Sequence, residues 1–194
     1  MSAVLPLQAE RAPLDRPAAI SVALWVFIAV VCALFGLFFA AYVMRLAGLE
    51  GYPLAMPWQF WLSTGLLAAG SGALEIARRT ADAASARRWS LAGGALALAF
   101  VATQFGAWQA LAGARVFVNG NPAASFLYVL TGLHAAHVIG GLVGWGYAWR
   151  APSAQRWRIA LCARYWHFLL LLWVVLFATL GLLTPEVVRA ICGR

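Results

Sequence analysis

The stretch ARYWHFLLLLWVVLFATLGLL, residues 163–183, decides the fold. Past Arg164 and His167 it carries no ionisable side chain. At 1.5 Å of helical rise per residue it crosses a hydrocarbon layer about 30 Å thick. Lipid offers no partner for backbone polar groups, so a run this long is a helix. Four further runs of the same kind precede it, at 19–44, 57–77, 89–112 and 123–149. The alternating segments of about ten residues that build a membrane β-barrel are absent. The expected fold is all-α, an integral membrane bundle of five transmembrane helices. Residues 1–17 form a tail and residues 18–194 a single transmembrane domain.

Composition agrees. The chain is 64% hydrophobic and 10% charged, with a mean hydropathy of +0.82, whereas soluble domains run nearer half apolar and a quarter charged. Its 194 residues leave no room for a separate soluble domain or a large enzyme. The tail holds Glu10, Arg11, Asp15 and Arg16 with Pro6, Pro13 and Pro17. The apolar run after it is too long for a secretory signal and closes on no small-residue cleavage site.

The net charge of +8 would suggest nucleic acid in a soluble protein. Here all basic residues are arginine and most lie between apolar runs, a pattern that reads as topology. Arg11, Arg16, Arg78, Arg79, Arg87, Arg88, Arg150, Arg156, Arg158 and Arg164 fall on one side, against Arg45, Arg115, Arg189 and Arg194 on the other. The N-terminus is therefore expected in the cytoplasm and the C-terminus outside. Turn signals separate the runs: Gly48, Gly51, Pro53 and Pro57, then Asn119-Gly120-Asn121-Pro122, then Pro152 and Ser153. No internal repeat suggests a transporter of inverted halves.

Cys32, Cys162 and Cys192 have neither zinc-site nor disulfide spacing and are expected to be small buried hydrophobes. Gly65, Gly70 and Gly72 in the second run, and Gly132, Gly140, Gly141, Gly144 and Gly146 in the fourth, let helices approach closely. The Gly140/Gly144 pair is expected at a packed interface. Ten tryptophans fall mostly near span ends, as an interfacial belt. Trp166 and Trp173, two turns apart, are expected to face a partner or lipid.

Polar side chains inside a bilayer are expensive, so each is a candidate for function. All three histidines are intramembrane: His134 and His137 on one face of the fourth run, His167 in the fifth. Together they could form a metal or haem site, the basis for a stand-alone His-based membrane metal protein or transporter. Such a site needs carboxylates behind the rings, and neither run contains an acid. The favoured reading is a hydrogen-bonded set tying helices together, with Thr131, Tyr165, Ser125 or a lipid headgroup as partners. Glu75 lies at pairing distance from Arg78 and Arg79, which reads as an interfacial ion pair and not a proton relay. No nucleophile–base pair, phosphate loop or carboxylate dyad is present.

Two blocks carry a resemblance. The fourth run reads Thr131-Gly132-Leu133-His134-Ala135-Ala136-His137-Val138-Ile139-Gly140-Gly141, and the fifth Tyr165-Trp166-His167-Phe168 followed by Trp173. With Ser63-Thr64, Leu66, Leu67 and Ser71 in the second run, and Gln104, Trp108 and Leu111 in the third, they resemble cytochrome c oxidase subunit III in order and spacing. The five runs match the family's shorter bacterial type. The resemblance implies an accessory, non-catalytic subunit of a haem–copper respiratory oxidase in a bacterial inner membrane. It implies that haem and copper belong to the partner subunit I, with subunit II alongside, and that this chain binds no cofactor but holds phospholipid. A subunit of a quinol oxidase, or the small subunit associated with nitric oxide reductase, is the alternative. The residues matching the family's structural or lipid-cleft positions are Thr64, Gln104, Trp108, His134, His137, Trp166, His167 and Trp173. Where many members carry acids thought to assist proton uptake, this chain has neutral Trp58, Ala107 and Leu170.

Overall fold

A computed structural model of the chain describes residues 15–47, 57–118, 122–150 and 156–183, with residues 187 and 190. Five helices dominate the described residues: α1 (Arg16–Ala47), α2 (Gln59–Arg79), α3 (Ala83–Gly113), α4 (Pro122–Trp149) and α5 (Trp157–Leu182). Each is long and apolar enough to cross a membrane, and no strand occurs among the described residues. The five-span, all-α expectation is met.

Two helices begin a full turn or more ahead of their apolar runs. The carboxylate of Asp82 accepts from the backbone N–H groups of Ala84 at 3.4 Å and Ser85 at 2.8 Å, so α3 starts at Ala83, ahead of residue 89. A cap of this kind satisfies donors that a helix start leaves unpaired. α5 starts at Trp157 and not at residue 163, because helical backbone need not stop where the hydrocarbon does. Arg158 and Arg164 can lay their stems along the apolar surface. α1 opens at Arg16, within the expected tail, of which residues 1–14 lie outside the described residues. So do Gly48, Gly51, Pro53, Asn119, Gly120, Asn121, Pro152, Ser153 and Cys192, and the turn readings made on them.

α2, α3, α4 and α5 form a ring in which sequence neighbours are antiparallel, and α5 closes back onto α2. α1 packs outside the ring, mainly against α4 and α5. The most intimate contact is α2 on α3, built on small residues. A Cβ on Gly93 would lie 2.7 Å from Cγ of Leu74 and 3.2 Å from the carbonyl of Gly70. Gly94 faces the indole of Trp145, whose Cζ2 is 2.3 Å from where a Cβ would stand. Such approaches matter in lipid, where packing and not water exclusion holds helices together.

Of the glycines singled out from sequence, some pack closely and others are open. Gly140 and Gly144 have nothing within 4 Å of a built Cβ among the described residues, so the GxxxG pair is not a packed interface between the described helices. Gly65, Gly72, Gly132 and Gly146 are equally open, whereas Gly70 and Gly141 are in contact. Trp166 and Trp173 are also corrected: both are 0% exposed inside the ring, not turned to partner or lipid. Cys32 is exposed on the outer face of α1 and Cys162 only half-buried. An apolar thiol is as much at home against lipid as in a core, so its burial is not set by its chemistry.

α3 ends in a left-handed residue, Arg115, with φ of 59°. The N–H of Arg115 donates to the carbonyl of Ala112, and that of Val116 to the carbonyl of Leu111, both at 3.0 Å. This is the paired reverse bonding of a Schellman motif, closed here by arginine where glycine is usual. The hydroxyl of Tyr128 donates to the Val116 carbonyl at 3.0 Å and ties this turn to α4.

Candidate functional site

Three hydroxyls organise the polar interior of the ring. Ser63 and Thr64 on α2 both donate to the carbonyl of Phe60, at 3.0 and 2.8 Å, and Thr131 on α4 donates to that of Leu127 at 2.6 Å. A hydroxyl bonded back to its own helix has spent its proton. Its oxygen then presents only lone pairs to the next helix. Each finds an N–H. Gln104 Nε2 on α3 donates to Ser63 at 2.9 Å, Trp173 Nε1 on α5 to Thr64 at 2.8 Å, and Trp108 Nε1 on α3 to Thr131 at 3.1 Å. These bonds join α2 to α3, α2 to α5, and α3 to α4.

His134 completes this core. It is 0% exposed, with its ring edge-on to Phe100 at 5.7 Å and tilted against Trp173 at 5.1 Å. The structure therefore brings together Thr64, Gln104, Trp108, His134 and Trp173 of the residues singled out from sequence. Phe100, which makes the shared aromatic wall, was missed. Nothing separates it from other apolar residues in α3 until the ring closes around it.

His167 belongs to a second cluster, towards the arginine-rich end. Its Nδ1 is 2.6 Å from the Ser71 hydroxyl and its Nε2 is 3.3 Å from Oε2 of Glu75. Arg78 and Arg79 both donate to the same carboxylate, Arg78 through Nε at 2.8 Å, so the expected ion pair forms and also holds the histidine. Ser71, His167 and Glu75 stand in the order of a hydrolytic triad. Ser71, however, is 1% exposed in mid-helix, where the backbone N–H groups that could stabilise an oxyanion are committed to the helix. The arrangement braces α2 against α5. Nearby, Arg156 at the start of α5 donates to the carbonyls of Thr80 and Ala81 in the α2–α3 turn.

His137 faces elsewhere. Its Nδ1 lies 2.7 Å from the carbonyl of Leu133, which can only accept, so the proton is on Nδ1. Its ring packs against Phe27 and Phe35 of α1. The three histidines thus look into three different sets of neighbours and do not converge on one ion. Among the described residues, no group of three or more His, Cys, Asp or Glu is placed to hold a metal. The partners expected for the rings are also corrected. Thr131 pairs with Trp108, Ser125 donates to the Val118 carbonyl, and Tyr165 donates to the backbone carbonyl of His137 at 3.2 Å. Of the three neutral positions, Trp58 is exposed, Ala107 fully buried and Leu170 half-buried. Trp166 is fully buried.

The open glycines do have a use of space. Gly140 and Gly144 floor a groove of about 370 Å³ between α1, α4 and α5, walled by Ile20, Leu24 and Tyr165, with Trp157 and Arg158 towards the arginine-rich end.

No protein-family model matches the chain. It is similar to a protein of Thermostichus vulcanus named cytochrome c oxidase subunit 3, 30% identical over 179 residues that cover 83% of this chain and 86% of the relative. It is also similar to a probable cytochrome c oxidase subunit 3 of Nocardia farcinica (strain IFM 10152), 27% identical over 181 residues, 86% of this chain and 89% of the relative.

Proposed function

Because the chain belongs to the cytochrome c oxidase subunit 3 family, we propose that this multi-pass membrane protein is the accessory, non-catalytic third subunit of a haem–copper respiratory oxidase. One observation carries the non-catalytic part. Most of the polar side chains inside the ring are occupied in joining helices: Thr64 to Trp173, Thr131 to Trp108, Ser63 to Gln104, and His167 to Ser71 and Glu75. In this reading haem and copper reside in subunit I, subunit II accompanies it, and this chain braces the assembly. The groove over Gly140 and Gly144 takes a phospholipid, its acyl chain along the glycines and its headgroup at Arg158. The membrane is a bacterial inner membrane, with the arginine-rich end in the cytoplasm.

The test is to purify the oxidase with and without this chain. Complex lacking it is expected to keep its haem spectrum and to reduce oxygen at first, then to inactivate after fewer turnovers. Abolished oxygen reduction with haem and copper retained would overturn the accessory role. Failure of any oxidase subunit to co-purify in mild detergent would overturn the assembly itself.

A further inference from the structure

Several buried side-chain atoms lack a hydrogen-bond partner among the described residues, Trp166 Nε1 among them, and three belong to residues that α3 and α4 bring near one another. Gln104 Oε1 and both ring nitrogens of His134 are buried without a hydrogen-bond partner among the described residues. Gln104 is 1% exposed and His134 0%. Most buried polar groups in proteins are paired, because water is lost to them on folding and must be replaced.

The amide orientation is not arbitrary. The Ser63 proton is committed to the Phe60 carbonyl, so Ser63 can only accept from Gln104. That places Nε2 against Ser63 and leaves Oε1 as the free acceptor. A neutral imidazole carries one N–H and one bare nitrogen, so His134 lacks both a donor and an acceptor as partners.

Helix register puts these two residues at one level of the bundle. On α3, Gln104 lies one turn from Phe100 and one turn from Trp108. Those two contact His134 and Thr131 on α4, residues that are themselves about a turn apart. Gln104 is thus bracketed by two of the points at which α3 meets α4.

We propose that one water molecule is bound in this layer and bridges Gln104 Oε1 to a ring nitrogen of His134. The water donates one proton to the amide oxygen and the other to the bare imidazole nitrogen. The remaining N–H of His134 faces the aromatic rings of Phe100 and Trp173, which accept weakly. Water is the ligand the chemistry selects. Full burial admits only something small, the unpaired acceptor atoms ask for a donor, and neither α3 nor α4 supplies a carboxylate that a cation would require. The inference stands whichever oxidase the chain serves.

Solid-state NMR of the full chain in lipid bilayers, labelled with ¹⁵N-histidine, tests it. His134 is assigned by its loss in His134→Gln. Magnetisation from a slowly exchanging water is expected to reach the His134 ring in the wild type and to vanish in Gln104→Leu, with the His137 and His167 signals unchanged. Absence of transfer in the wild type, its survival in Gln104→Leu, or a direct coupling between Gln104 and His134 would each overturn the proposal. If Gln104→Leu fails to fold, density within hydrogen-bonding reach of both atoms in a high-resolution map of the wild type supports the site. Continuous packing there refutes it.

Discussion

Gly94 has no side chain, and the indole of Trp145 occupies the space one would need. Trp145 cannot easily withdraw, because its Nε1 donates to the Ser90 carbonyl at 2.9 Å and to the Ser90 hydroxyl at 3.1 Å. Gly94→Ala is therefore expected to cost about 1–3 kcal/mol, the usual range for overpacking. The readout is thermal stability in mild detergent. Gly36→Ala, where a Cβ meets nothing within 4 Å, is expected to be neutral or slightly stabilising. Equal losses at both positions would mean that contact with Trp145 does not decide the matter. Sequence could not choose between these glycines. Spacing such as that of Gly140 and Gly144 marks one face of a helix, but what covers the face depends on how the other helices pack. The same limit applied to Trp173 and Trp166: two turns define a stripe, and only ring closure shows that the stripe points inwards.

The ends of α3 carry two opposite devices, and each makes a prediction. At its start, the hydrogen bonds from Ser85, side chain first and backbone second, hold the Asp82 carboxyl below the usual aspartate range. A depressed folded-state value means that the cap contributes stability above the unfolded aspartate pKa. That contribution is lost as pH falls through the lower folded value. In melts of the detergent-solubilised protein, Asp82→Ala should lower the midpoint at neutral pH and remove part of the acid-side decline. Asp82→Asn should keep the cap while losing the same pH dependence; an unchanged acid limb in both variants would show that the cap is energetically idle. At the other end, Arg115 adopts a left-handed conformation that costs a non-glycine residue about 1 kcal/mol. Arg115→Gly should recover a similar amount, less the entropy glycine adds to the unfolded chain, and the same melts read it. The helices themselves were legible from their apolar length. Their true edges were not, since a cap or a Schellman turn follows backbone bonding and not hydropathy.

At the scale of the molecule, five spans and their order could be read directly, because lipid leaves a long apolar run no conformation but a helix. The grouping of Thr64, Gln104, Trp108, His134 and Trp173 was foreshadowed only by the family resemblance. Polar residues at such separations in sequence meet only once four helices close into a ring. Sidedness rests on arginine alone and is open to a direct check. With the native cysteines replaced, single cysteines at positions 119 and 153 should react with an impermeant reagent from opposite faces of the membrane, position 153 from the cytoplasm. Labelling of both from one face would refute the five-span arrangement.

The short connection between α2 and α3 bears on how the protein is made. Residues 80–82 alone separate the two helices, and Gly70 and Gly93 let them touch. A nascent chain can therefore settle this hairpin as soon as α3 leaves the translocon. α1 is synthesised first, yet its contacts are chiefly with the last two helices to emerge. It must wait alone among the lipids while the rest of the chain is translated. An 18-residue stretch of it has a mean hydropathy of 2.8, the highest of the five helices, and equips it for that interval.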